Sequence, residues 1–165
     1  MPRYLYLLRH AESIGKGPGQ LDKERDLTAR GLREALIIGT YLYKENISFD
    51  TILTSPATRA KATASIIVDA MKSDTEKIVE QEALYEASTR TFFQFIAQLN
   101  DDLHTVLCIA HNPAISYLAE SFTKSEIGDM PTGGMAIIKF NVQSWKEVSQ
   151  GNGELDQYVF PEMLG

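Results

Sequence analysis

The segment from Thr105 to Ala110 constrains the fold more than any other part of the chain, because it reads TVLCIA and is almost continuously apolar. A strand that is apolar on both faces must be covered on both faces, which is typical of a parallel strand with helices on either side. Strand patterns and amphipathic helix patterns alternate along the rest of the chain. We therefore predict a three-layer α/β/α sandwich around a mostly parallel sheet.

The same patterns give approximate positions for the elements. Parallel strands are predicted near Arg3–Leu8, Asp50–Thr54, Glu76–Glu80 and Thr105–Ala110. Helices are predicted to begin at Thr28, at Ser55-Pro56, at Ser88 and after Pro113. The first helix has apolar residues at helical spacing, namely Leu32, Ala35, Leu36, Gly39, Leu42 and Tyr43. The final segments MAIIKFNV, WKEVS and LDQYVF read as strands and predict an antiparallel edge.

Length and composition narrow the class of protein. The 165 residues suffice for one core, so we predict a single domain over residues 1–165. The net charge of −6 disfavours a nucleic-acid partner. No apolar run is long enough to span a membrane, and the N-terminal pattern is not that of a signal peptide. With one cysteine, Cys108, no internal disulfide can form, and we expect a cytoplasmic protein.

Arginine and histidine residues that could bind an anion or act in catalysis follow three of the predicted strands. The first strand ends in Arg9 and His10, the second is followed by Arg59 in the first turn of the next helix, and TVLCIA runs into His111. The carboxyl ends of parallel strands share one edge of the sheet, where ligands of such sheets bind. Helix N-termini and arginine side chains both favour phosphate. We therefore predict a pocket for a phosphate- or sulfate-like anion, and a phosphate ester or phosphoramidate as the ligand.

A histidine between arginines is a candidate nucleophile. Nearby positive charge disfavours the imidazolium form, so one ring nitrogen keeps its lone pair for attack on phosphorus. The intermediate would be a phosphohistidine that water hydrolyses. The arginines and the second histidine would stabilise the charge on the transferred group.

Structural explanations compete with these roles. Arg9 and His10 could end a strand in solvent, Arg59 could pair with a surface carboxylate, and His111 could be a half-buried structural residue. Because such residues follow three strands that end at the same edge of the sheet, a single shared site is favoured instead. Because the three histidines of the chain lie apart from any cluster of carboxylates, we predict no metal site and no cofactor. Cys108 lies within an apolar strand and is expected to be structural.

Four segments, LLRHAES, LTARG, TSPATRAKATA and IAHNP, occur in this order and resemble the histidine phosphatase superfamily, whose fold is phosphoglycerate-mutase-like. The resemblance spans about Tyr4 to Phe140 and is greatest for the short branch of SixA-type phosphohistidine phosphatases. It implies that His10 is the phosphorylated nucleophile and that Arg9, Arg59 and His111 complete the phosphate pocket. It also implies that Glu12 supports the loop and that Ser13 lends its backbone N–H to phosphate.

Two features, seen against larger relatives, bear on the substrate. The loop between His10 and Thr28 is short and lacks a helical cap, so we expect a shallow, open pocket. Such a pocket suits a phosphohistidine on a protein surface better than a mutase, which must exclude water. Glu86, in LYE, stands where many family members have an acid, and we weigh a proton donor equally against a plain loop carboxylate.

The sequence thus predicts a metal-independent phosphatase that acts through a phosphohistidine intermediate, with a phosphohistidine on a partner protein as substrate. One alternative is a small-molecule phosphomonoesterase of the same superfamily. Another is a non-catalytic module that binds phosphate or a phosphoprotein. A module that only binds has no need of a free imidazole, so the four residues Arg9, His10, Arg59 and His111 argue against it.

Overall fold

A six-stranded sheet forms the centre of the protein, and the computed structural model describes all residues from 1 to 165. Its strands are β1 (Arg3–Arg9), β2 (Thr51–Thr54), β3 (Ile78–Glu80), β4 (Thr105–Ala110), β5 (Met135–Phe140) and β6 (Gly153–Val159). The spatial order is β3-β2-β4-β1-β5-β6. The first four strands run parallel to one another, whereas β5 pairs antiparallel with β1 and β6 pairs antiparallel with β5. The predicted mostly parallel sheet with an antiparallel edge is therefore confirmed.

Helices cover both faces of this sheet. They are α1 (Ala29–Lys44), α2 (Thr58–Ala70), α3 (Thr89–Ala97), α4 (Ala114–Thr123) and the short α5 (Pro161–Leu164). Successive side chains of β1 point to opposite faces, so Leu7 joins a core shared with α3 and α4, and Leu8 joins a core shared with α1 and α2. The two separate cores confirm the three-layer α/β/α sandwich.

The apolar face predicted for α1 is partly wrong. Leu32, Leu36 and Tyr43 are about half exposed, whereas Ile38, which the spacing omitted, is buried. The reason is a carboxylate on the inner face of the helix: Glu34 is 6% exposed and binds the loop that follows His10.

The segment WKEVS is not a strand. Residues 145–147 form a single 3₁₀ turn that Ser144 caps by accepting a hydrogen bond from the Lys146 N–H. Trp145 is fully buried, and its ring N–H donates to the Leu103 carbonyl at 2.7 Å. Burial of this aromatic side chain, rather than a ladder of backbone hydrogen bonds, holds the segment on the core.

Cys108 lies in β4 with no exposed surface, as expected for a structural thiol. Burial raises the pKa of its thiol well above the ordinary range, so it stays protonated. None of the helices is both long enough and apolar enough to cross a membrane.

Candidate active site

Three strand ends meet at one edge of the sheet, as the sequence predicts. Arg9 of β1 pairs with Ala110 of β4, and Thr54 of β2 pairs with Ile109. The next residues along the chain therefore lie side by side. The rings of His10 and His111 are 5.1 Å apart between centroids.

His10 is held in one orientation and one tautomer. Its Nδ1 lies 2.8 Å from the Ala11 carbonyl oxygen, and a carbonyl only accepts hydrogen bonds. Nδ1 therefore carries the proton and Nε2 keeps its lone pair. The pKa of His10 is lowered to about 4, mainly by burial and also by the charges of Arg59 and Arg9, against the opposing effect of the Ala11 hydrogen bond. The ring is therefore neutral at physiological pH.

His111 is bound by a residue to which the sequence analysis gave another role. Its Nε2 lies 2.8 Å from the Ser55 hydroxyl oxygen, and the same oxygen accepts a hydrogen bond from the Ala57 N–H at 3.1 Å. Ser55 was expected to cap the second helix, but α2 begins at Thr58 with Ala57 as its N-cap. Burial lowers the pKa of His111 to about 3, with further contributions from His10 and Arg59. This ring is also neutral.

The two predicted arginines each keep a buried donor without a protein partner. Arg9 donates from Nη1 to the Met130 carbonyl at 2.9 Å, and Arg59 donates from both terminal nitrogens to Asp22. Nε of either arginine has no partner, and neither has Nδ1 of His111. Buried polar groups in folded proteins are normally paired. An anion would supply partners for the unpaired N–H groups of these three residues.

The loop after His10 is fixed against the start of α1. The Thr28 hydroxyl donates to the Glu12 carboxylate at 2.8 Å, so Glu12 does support this loop. A Cβ on Gly31 would lie 2.1 Å from the Glu12 carbonyl oxygen, which explains why LTARG requires glycine there. Ser13 forms an isolated bridge with Leu27, and its backbone N–H makes no hydrogen bond within the protein. That N–H is free for a ligand.

Two positioning residues were missed by the sequence analysis. Thr63 of α2 accepts a hydrogen bond from the Ala11 N–H at 3.0 Å and donates to the Arg59 carbonyl at 2.7 Å. Glu34 accepts from the Glu12 N–H at 2.8 Å and from the Thr132 hydroxyl at 3.0 Å. Both read as ordinary helix residues in the sequence, because their partners are distant along the chain.

Asp22 and Tyr85 border the site and were also missed. The Tyr85 hydroxyl donates to the Asp22 carboxylate at 2.7 Å, and the Tyr85 ring stands edge-on to His111 at 5.6 Å. The carboxylate also accepts from Nε of Arg25 at 3.0 Å. The Tyr85 hydrogen bond, followed by the arginine contacts, lowers the pKa of Asp22 to about 2. This carboxylate is ionised at any working pH.

Glu86 is exposed, and its backbone has a positive φ of 53°. It makes no hydrogen bond to the other predicted site residues. It does share a cavity of about 260 Å³ with His111. The other lining residues are Leu84, Ala87, Phe92, Asn112, Pro113 and Ala114. No group of three or more side chains in the structure is arranged to hold a metal ion.

Comparison with known proteins agrees with this geometry. The family model of the histidine phosphatase superfamily (branch 1) matches residues 5–92. An uncharacterized protein of Mycobacterium tuberculosis is 31% identical in an alignment of 165 positions that covers 93% of this chain and 99% of that protein.

Solved structures of related proteins cover almost the whole chain. The putative phosphohistidine phosphatase SixA of Agrobacterium tumefaciens is 25% identical, with a TM-score of 0.82 over 96% of this chain and 98% of its own. The putative SixA of Nakamurella multipartitia shares the fold at 22% identity, with a TM-score of 0.83 over 98% and 97% of the two chains. The chain therefore belongs to the histidine phosphatase superfamily, in its SixA-type branch, and is a phosphatase.

Proposed function

We propose that this phosphatase hydrolyses phosphohistidine on a partner protein, without a metal ion, through a covalent phosphoenzyme. Nε2 of His10 donates its lone pair to phosphorus while the P–N bond of the substrate breaks. The departing imidazole takes the electron pair of that bond and gains a proton. Water then attacks phosphorus on the phosphorylated His10, releases inorganic phosphate and restores the neutral ring.

The observation that carries the proposal is the fixed tautomer of His10. Its Nδ1–H is engaged by the Ala11 carbonyl at 2.8 Å, so Nε2 is the nucleophilic atom. Arg9 and Arg59 help keep the ring unprotonated through their charge. A module that merely binds phosphate would be served better by a protonated histidine, because that ring would add a positive charge.

We assign the other residues of the site to stabilising the negative charge on the transferred phosphoryl group. Phosphoryl transfer spreads negative charge over three equatorial oxygens, and fixed donors stabilise it. The unpaired Nε atoms of Arg9 and Arg59 supply such donors. So does the unpaired Nδ1 of His111, to which we assign the ring proton because Nε2 faces the Ser55 hydroxyl. The free backbone N–H of Ser13 is a fourth.

The cavity beside His111 supports a phosphohistidine substrate. Both ends of the Asn112 amide are used, because it donates to the Met130 carbonyl and accepts from Ser116. Glu86 is therefore the charged group that remains for a ligand in an otherwise mainly apolar cavity. A departing imidazole, neutral or protonated, fits this lining, whereas a leaving group with its own carboxylate would be repelled. We assign Glu86 as the proton donor or charge partner of that imidazole.

Trapping of the phosphoenzyme tests the mechanism. The native protein and the His10→Ala variant are mixed with a ³²P-labelled phosphohistidine protein in excess EDTA and quenched in base, where phosphohistidine survives. We expect label on the native protein and none on the variant. Binding of inorganic phosphate by the native protein, without label on it, would favour the binding module.

A substrate comparison tests the assignment of phosphohistidine. We expect kcat/KM for a phosphohistidine protein to exceed that for a simple aryl phosphate by ~10²-fold, and Glu86→Gln to reduce this advantage. Glu82→Gln, a change at an exposed carboxylate outside the cavity, is the matched control. Equal rates on the two substrates would support the small-molecule phosphomonoesterase instead, and would leave the role of His10 intact.

A further inference from the structure

Asp22 lies in the loop between His10 and α1, outside the three strand ends that carry the predicted site. Its carboxylate nevertheless lies 3.1 Å from Nη2 of Arg59, and its carbonyl oxygen lies 2.9 Å from Nη1. We propose that Asp22 is a positioning residue for phosphoryl transfer, which acts by fixing the Arg59 guanidinium beside His10. The proposal rests on the assigned role of Arg59 in holding the transferred group.

The terminal nitrogens and Nε of the Arg59 guanidinium differ in their contacts. Asp22 engages both terminal nitrogens, whereas Nε is buried and has no protein partner. An arginine side chain binds phosphate best when its planar fork is already oriented, because less rotamer freedom is then lost. Asp22 thus orients Arg59 and leaves Nε for a phosphoryl oxygen.

The carboxylate is itself anchored from two further directions. Tyr85 donates to it from the β3–α3 loop at 2.7 Å, and Nε of Arg25 donates at 3.0 Å. Arg25 also donates to the Ile14 carbonyl at 3.1 Å, and Lys23 lies over the Tyr85 ring at 5.0 Å. The segment around Asp22 is therefore tied both to its own loop and to the loop that carries Tyr85.

An occluding role for Asp22 is the alternative, because a carboxylate could imitate phosphate and block the site. Such a mimic would also engage the donors of Arg9, His10 or His111. Asp22 makes no hydrogen bond to any of the three, and its polar partners are Arg59, Tyr85 and Arg25. The contacts favour orientation of Arg59 over competition for the phosphate position.

Asp22→Asn tests the proposal because it keeps the shape of the side chain and removes its charge. We expect kcat for an aryl phosphate to fall ~10- to 100-fold, since a fixed donor matters most in the transition state. KM and the affinity for inorganic phosphate, measured by calorimetry, should change less than ~3-fold. Asp26→Asn is the control, because Asp26 is exposed in the same loop and its carboxylate accepts only from the Leu27 N–H. Its kcat should stay that of the native protein.

A double-mutant cycle separates positioning from a general structural role. In an Arg59→Ala background, Asp22→Asn should lower kcat no further, because the residue through which it acts is gone. An unchanged kcat in the single variant, or a full additional loss in the Arg59→Ala background, would overturn the proposal. Higher kcat/KM with tighter phosphate binding would identify Asp22 as an occluding anion. Because kcat is measured with an aryl phosphate, the test of Asp22 remains valid even if phosphohistidine is not the substrate.

Discussion

The rings of His10 and His111 lie 5.1 Å apart; His10 is buried, His111 is partly buried, and the charge of Arg59 acts on both. Two imidazolium ions could not share this space at low cost, because their charges would repel each other in a poorly hydrated site. Burial and the nearby arginine charge lower the pKa of each ring far below 7, so both rings are neutral near pH 7. In the proposed mechanism a neutral His10 is the nucleophile, and a neutral His111 keeps one N–H for the phosphoryl group.

The first prediction concerns the titration of these rings. With three histidines in the chain, their ring resonances can be followed individually by NMR. We expect His10 to become protonated near pH 4 and His111 near pH 3, both far below the usual value of about 6.5. kcat/KM should fall on the acid side as His10 takes up its proton. A midpoint near 6.5 for either ring would contradict the neutral pair.

The second prediction is the pH dependence of stability. Both folded-state pKa values are lowered, so between pH 6.5 and pH 4 the unfolded chain binds more protons than the folded one. The stabilisation is complete above about pH 6.5 and is lost as the pH falls towards 4, by a few kcal/mol in total. Urea unfolding at a series of pH values in this range measures the slope of the unfolding free energy against pH.

Variants identify the groups responsible for that slope. Replacing His10 and His111 together by asparagine should flatten the dependence of the unfolding free energy between pH 6.5 and pH 4. His104→Asn, in the residue before β4 and away from the site, is the control and should retain the native slope. An equally steep slope in the double variant would assign the effect to other groups.

The third prediction concerns Ser55, which holds His111 by a 2.8 Å hydrogen bond. Ser55→Ala should lower kcat ~10-fold, because His111 loses the partner that fixes its ring. It should also cost about 1–3 kcal/mol of stability, since the buried Ala57 N–H loses its acceptor. Ser65→Ala, at an exposed position of α2, is the control. Native kcat per folded molecule in the Ser55 variant would show that His111 needs no such partner.

The fourth prediction concerns the close approach of α1 to the loop after His10. Gly31→Ala would place a Cβ 2.1 Å from the Glu12 carbonyl, so the loop or the helix must move. We expect a loss of more than about 2 kcal/mol in unfolding free energy, together with reduced activity. Gly15→Ala, where an added Cβ meets nothing within 4 Å, should change stability by less than about 0.5 kcal/mol. A Gly31 variant as stable as the Gly15 variant would refute this account of LTARG.

The sequence was sufficient to predict the four central residues because each stands at the end of a strand or in the first turn of a helix. Parallel strands bring Arg9, His10 and His111 to one edge whatever the details of packing. The positions of these residues could be predicted for that reason, and their chemical roles stay predictions. The face of α1 was less predictable, because a buried carboxylate, Glu34, occupies an inner position that the apolar pattern could not reveal.

By itself, the sequence determined the layer architecture and the edge of the sheet where the site lies, because both depend on local periodicity and on the order of strands and helices. Only the tertiary structure decided the partners of those residues. Ser55 and His111 are 56 positions apart, and Asp22 and Arg59 are 37 apart. Hydrogen bonds at such separations depend on distances of a few tenths of an ångström between packed elements, and no local pattern in the sequence encodes them.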